Sequence, residues 1–278
     1  MEQPLRSNIG RFTQIFLRVF LFNVAGGAVL AQTVAPTTMR TNEPTAMEQF
    51  SSFIKPYEPI YFLAGPETPA VKFQFSLKAV PFDQLLDSWI QPTVAYTQTS
   101  FWDIFGRSSP FYDTSYKPSA FIYLPNVFRQ TNLLKLDLQG GYQHESNGKG
   151  GSSSRSMNTI YLQGCLQVGD PEKWHASITP RAWFYILDLS DNPDIANYRG
   201  YANVALKGGW EKYEFGAKVQ MGESAQHVGV QLDLSAPLLR KLHFMPYFHI
   251  QYFNGYGETL LGYNKYTQSI RFGLGLYE

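Results

Sequence analysis

The feature that most constrains this chain is a strict two-residue alternation across residues 134–168. In the first half the even positions read Leu134, Leu136, Leu138, Gly140, Tyr142, His144 and Ser146. Between them stand Lys135, Asp137, Gln139, Gly141, Gln143 and Glu145. In the second half the even positions are Asn158, Ile160, Leu162, Gly164, Leu166 and Val168. Successive side chains on a strand point to opposite faces, so the pattern predicts a β-hairpin with one apolar and one polar face. His144, Ser146 and Asn158 then project from one end of the apolar face. A serine, an imidazole and an amide are out of place on a greasy surface, unless that surface meets lipid and the three residues act on it.

The alternation recurs along the chain. Val71, Phe73, Phe75 and Leu77 alternate with Lys72, Gln74, Ser76 and Lys78, and Ile270, Phe272, Leu274 and Leu276 with Arg271, Gly273 and Gly275. With weaker segments included, the pattern predicts twelve strands, at about 59–65, 70–80, 88–102, 118–124, 133–146, 157–168, 174–187, 200–210, 213–221, 227–236, 242–254 and 267–277. Past residue 31 there is no run of 18 apolar residues to form a transmembrane helix. A closed barrel is the other structure that satisfies every backbone group inside a bilayer. Short connections at 169–173 and 211–212 alternate with long ones at 103–117, 147–156, 188–199 and 255–266. That is the expected asymmetry between periplasmic turns and outer loops. The fold class predicted is all-β: a twelve-stranded antiparallel transmembrane barrel, with the His144 end on the outer, long-loop side.

The amino terminus reads as a secretory signal over residues 1–31. Arg6 and Arg11 form the basic part, an apolar core starts at Phe16, and Val29-Leu30-Ala31 is the small-residue cleavage site. Residues 32–55, rich in Thr, Pro, Ala and Ser, read as a flexible leader. The barrel is then residues 56–278. A net charge of +1 offers no support for nucleic-acid binding. The lone Cys165 excludes an internal disulfide and lies on a polar strand face. His175, His227, His243 and His249 lack metal-like spacing.

His144 and Ser146 are two apart on one strand, and a hairpin brings Asn158 opposite or diagonal to His144. That permits a relay. Ser146 is the nucleophile, His144 takes its proton, and Asn158 accepts the other ring N–H and so orients the imidazole. Polar headgroup-facing residues of an inert wall would give the same parity, so the pattern alone leaves both readings open.

The surrounding residues go further. His144-Glu145-Ser146-Asn147-Gly148 followed by Ser154-Arg155-Ser156-Met157-Asn158 resembles the signature of the bacterial outer membrane phospholipase A family. The resemblance extends to Tyr96-Thr97-Gln98, Ser108-Ser109-Pro110-Phe111, Asp191-Asn192-Pro193-Asp194 and Gly255-Tyr256-Gly257-Glu258. It implies a barrel in the outer membrane of a Gram-negative-type cell, with catalytic residues on its outer wall. It implies a calcium-dependent hydrolase of phospholipid acyl esters, of A1/A2 and lysophospholipase type, active as a homodimer. Carried over by position, Ser146 is the nucleophile, His144 the base, Asn158 its partner, and the Gly148 N–H part of the oxyanion hole. The Ser154 hydroxyl and the Lys149 carbonyl are implied calcium ligands, Ser108 a ligand supplied by the partner subunit, and Asp191 a ligand of an accessory calcium site. Gln98 matches a polar residue of the dimer interface. Lys149 stands where arginine is usual, and Gly150 and Gly151 make the loop less acidic than in relatives. Two non-enzymatic readings share the alternation: a narrow channel or structural barrel in the outer membrane, and a soluble β-sandwich.

Overall fold

The computed structural model describes residues 54–81, 89–131, 133–170, 172–238 and 246–276. The signal segment at 1–31, nearly all of the 32–55 leader and His243 lie outside the described residues. Thirteen strands form one antiparallel sheet. They are β1 (Ile54–Pro56), β2 (Ile60–Ala64), β3 (Val71–Ala79), β4 (Gln91–Trp102), β5 (Phe111–Thr131), β6 (Leu134–Ser146), β7 (Ser156–Gly169), β8 (Trp174–Ile186), β9 (Ala202–Trp210), β10 (Tyr213–Met221), β11 (Val228–Pro237), β12 (Pro246–Gly255) and β13 (Thr267–Leu276). A single helix turn, α1 (Ile195–Arg199), interrupts the connection from β8 to β9. From β2 onward each strand pairs with its chain neighbour, and β13 pairs with β2, so the sheet closes on itself. β1 and β2 both pair with β3, at its end and its start respectively, so they are two pieces of one stave broken at Tyr57–Pro59. The wall therefore has twelve staves, an even number suited to a bacterial barrel.

The two-residue alternation fixes which side of the wall each residue faces. Phe184 is 73% exposed and Leu162 63%, and both point outward with Ile160, Phe215, Leu234 and Phe272. A soluble sandwich buries such residues between its sheets; here they form the outside of a closed wall. The inside is polar. Arg271, 1% exposed, donates to Glu258 at 2.5 Å, and Lys72 lies 3.8 Å from the same carboxylate and donates to Gln251. A cavity of about 1080 Å³ runs within the barrel beside this network. Cys165 lines it and so occupies the polar face of its strand, as read from the sequence, and Lys218 lines it as well.

The connections alternate in length as expected. The turns at 170–173 and 211–212 are short, whereas 147–155, 187–201 and 256–266 are long. The connections at 80–90 and 238–245 break the rule, because both are long and lie at the opposite end. The larger departure is β5. The expected strand at 118–124 is 21 residues long in the structure, and the loop before it shrinks to 103–110. Two effects hid this. Asp113 and Ser115 point inward among polar partners, so the first third of the strand lacks a clear apolar contrast. Beyond Leu124, a bulge with Asn126 at φ 53° lets the strand pass Pro125, and the Asn126 N–H donates to Asp137 at 2.8 Å.

Candidate active site

The site is built where β6 and β7 approach the outer loops. Their register sets His144 opposite Asn158 and Ser146 opposite Ser156. The odd neighbour Glu145 is buried in the lumen, where it accepts from Ser115 and forms an ion pair with Arg199 at 3.2 Å. Its inward anchorage forces His144 and Ser146 to the outside. The Asn158 Oδ1 lies 2.9 Å from His144 Nδ1. A second contact was not anticipated: the Tyr142 hydroxyl donates to the same Oδ1 at 2.6 Å. Tyr142 shares the even face and precedes His144 by two, so parity alone could have flagged it. Ser146 sits on this face one pleat further out, and among the described residues its hydroxyl makes no hydrogen bond to the ring. Such contacts are commonly loose before substrate arrives.

The loop that follows is held by one buried side chain, again missed in the sequence. Asn147 accepts from the N–H groups of Lys149 at 3.2 Å and Arg155 at 3.0 Å, and donates to the Ser153 carbonyl at 2.9 Å. Its own N–H donates to the Arg155 carbonyl. Gly148 therefore has neighbours whose N–H groups are both engaged, while its own N–H donates to no described residue. It adopts φ +65°, and a Cβ there would stand 2.9 Å from the Tyr116 ring. Both facts demand glycine.

Two residues far apart in sequence meet beside this loop. The Ser154 hydroxyl donates to Asp191 at 2.7 Å. Asn192, fully buried, accepts from the Ser156 N–H at 2.9 Å and ties the 187–201 loop to the root of β7. Ile195, Leu260 and Tyr263 form a buried apolar cluster above, with Met157 packed against it. Burial, and next the hydrogen bond that Tyr263 donates to the Asp194 carboxylate, push the Tyr263 phenol above its ordinary range.

The remaining predicted residues are placed less closely. The Lys149 ammonium turns away to the Tyr112 carbonyl, and the Lys149 carbonyl accepts no hydrogen bond from a described residue. Ser108 is exposed in the 103–110 loop at φ 67°, and no described contact joins it to Lys149, Ser154 or Asp191. Gln98 faces outward on β4 in a polar ladder, accepting from Tyr96 at 2.9 Å and donating to Ser100 at 3.2 Å. Among the described residues no three His, Cys, Asp or Glu side chains gather as a metal site. An ion beside Ser154 and Asp191 would be held by hydroxyl, carboxylate, carbonyl and water oxygens. That donor set suits calcium, which takes hard oxygen ligands in flexible geometry.

A family model described as Phospholipase A1 matches residues 37–276, most of the chain. The chain belongs to the Phospholipase A1 family. Within that family it is 31% identical over 208 residues to Phospholipase A1 of Escherichia coli strain K12, covering 74% of this chain and 68% of the relative. The Proteus vulgaris Phospholipase A1 is 33% identical over 210 residues, with the same coverage. Among solved structures, the Salmonella typhi outer membrane phospholipase dimer with bound calcium superposes with a TM-score of 0.70 at 27% identity, covering 81% of this chain and 92% of that one. The Escherichia coli outer membrane phospholipase A gives 0.70 at 26% identity, covering 86% and 95%. In this Phospholipase A1 family barrel, His144, Ser146 and Asn158 lie on the outward face of the wall, next to the 147–155 connection.

Proposed function

We propose that this protein is an outer-membrane phospholipase that hydrolyses acyl ester bonds of phospholipids at the β6–β7 wall. The observation that carries the reading is the His144–Asn158 contact at 2.9 Å, presented outward on an apolar face one pleat from Ser146. With Asn158 Oδ1 accepting the Nδ1–H, the Nε2 lone pair of His144 is available as a base. The Ser146 hydroxyl oxygen attacks the acyl carbonyl carbon while its proton passes to Nε2. The tetrahedral adduct collapses, the glycerol oxygen leaves with that proton, and the fatty acyl group stays on Ser146. Water then attacks the acyl-serine with His144 again as base, releasing the fatty acid and restoring the hydroxyl. The Gly148 N–H, which donates to no described residue, lies on the same rim and is suited to the oxyanion.

Ser154, the Lys149 carbonyl and, from the partner copy of a homodimer, Ser108 would hold calcium, and Asp191 would belong to an accessory calcium site. Calcium, when bound, supplies positive charge that stabilises the developing oxyanion. An exposed Ser108, contacting none of the other candidates within one chain, accords with a ligand donated between subunits. Gln98 and its ladder would face the partner, where outward polar side chains find partners that lipid cannot provide. The substrate side of the reaction is membrane-embedded, and no nucleic-acid role is implied.

The test is phospholipid hydrolysis by the purified barrel in detergent, with calcium and then with chelator. Calcium-dependent release of fatty acid is the expected result. A folded barrel without hydrolysis under either condition would favour a channel or structural role.

A further inference from the structure

An asparagine amide can face a histidine ring with either its oxygen or its nitrogen, and the choice sets the chemistry. With the oxygen toward Nδ1, that nitrogen carries the proton and Nε2 is the base. With the NH₂ group toward Nδ1, the proton moves to Nε2 and the base is lost. The two neutral tautomers are close in energy, so an isolated Asn–His pair does not choose strongly. A carboxylate in the same place would have no such ambiguity.

We propose that Tyr142 is a positioning residue that fixes the orientation of Asn158 and, through it, the tautomer of His144. The inference rests on the reading of His144 as the base. Tyr142 Oη and His144 Nδ1 meet the same Oδ1, at 2.6 and 2.9 Å. In this arrangement both donors are satisfied by one oxygen. If the amide turned over, the Asn158 NH₂ could donate to the Tyr142 oxygen, but the phenolic proton would have no acceptor. On a wall facing hydrocarbon, a stranded O–H donor is unfavourable enough to bias such an equilibrium about tenfold or more. The cross-strand geometry supplies the contact directly. Tyr142 opposes Ile160, so it reaches Asn158 diagonally, while His144 reaches it straight across. A phenylalanine would fill the same space and leave the amide free to turn.

The test is Tyr142→Phe in the full-length barrel, read by kinetics and by ¹⁵N spectra of the His144 ring in detergent micelles. The proposal expects kcat to fall about tenfold, KM to change less than twofold, and the neutral His144 ring to shift from one tautomer to a mixture. In an Asn158→Asp background the same substitution is expected to change kcat less than twofold, because the two carboxylate oxygens are equivalent. An unchanged tautomer in Tyr142→Phe, or an equal loss of kcat in both backgrounds, overturns the proposal. If neither protein hydrolyses lipid but the tautomer shifts as described, the positioning stands and the phospholipase reading falls.

Discussion

Among the described residues, two serine–histidine arrangements occur, on opposite faces of the wall. On the outside, His144 contacts Asn158, and Ser146 stands one pleat away without a bond to the ring. Inside, Ser235 lies 2.7 Å from His249 Nδ1, and His249 Nε2 lies 3.1 Å from Asp233. By distance alone the inner trio looks more like a hydrolytic triad. Yet Ser235 and His249 are almost wholly buried, Asp233 also accepts from Gln231 and Gln251, and both imidazole nitrogens are engaged. The inner set is a closed polar network that fills the lumen; the outer set keeps a nitrogen and a hydroxyl available at the lipid surface. Facing the substrate, and leaving one valence open, matter more here than a complete set of hydrogen bonds.

Substitutions can break this comparison from either side. Ser146→Ala removes the nucleophile and is expected to lower hydrolysis by roughly 10⁵-fold, measured as fatty-acid release from detergent-dispersed phospholipid. Asn158→Ala leaves the imidazole without an orienting partner, and its expected loss is on the order of 10²–10³-fold in kcat, below that for a carboxylate because the amide carries no charge. For Gly148→Ala the loss should be about 10–100-fold in kcat, since a left-handed residue with a methyl against the Tyr116 ring moves the donor N–H. The inner network is expected to answer oppositely. Asp233→Ala should leave kcat within about twofold and cost about 1–2 kcal/mol of stability, seen in a thermal melt, because it strands the buried His249 and Gln251, which bond to a half-buried acceptor. A large loss of kcat at unchanged stability in that last variant would reverse the roles given to the two sets.

The sequence revealed the outer set because strand parity is local: each residue's face follows from its neighbours, and Glu145 and His144 cannot share one. Register was only half legible: the hairpin left Asn158 opposite or diagonal to His144, and the structure sets it opposite. What escaped was whatever depended on distant partners. The Ser154–Asp191 contact joins loops 37 positions apart, and nothing in either segment alone indicates it. Asn147 stood in the signature without a role of its own, although four backbone groups are bonded to it through its side chain and N–H. The first third of β5 was invisible because its inward residues pair with loop and lumen groups, not with an apolar core. Ser108 illustrates a different limit: its implied role needs a second copy, and one chain shows only an exposed loop.

The most direct test of the central claim is covalent trapping. The intact barrel in calcium-containing detergent would be treated with a fluorophosphonate bearing an alkyl chain, digested, and mapped by mass spectrometry. The account predicts a single adduct on Ser146, absent in His144→Ala, and none on Ser235. An adduct on Ser235, or phospholipid hydrolysis proceeding with Ser146 unlabelled, would contradict it.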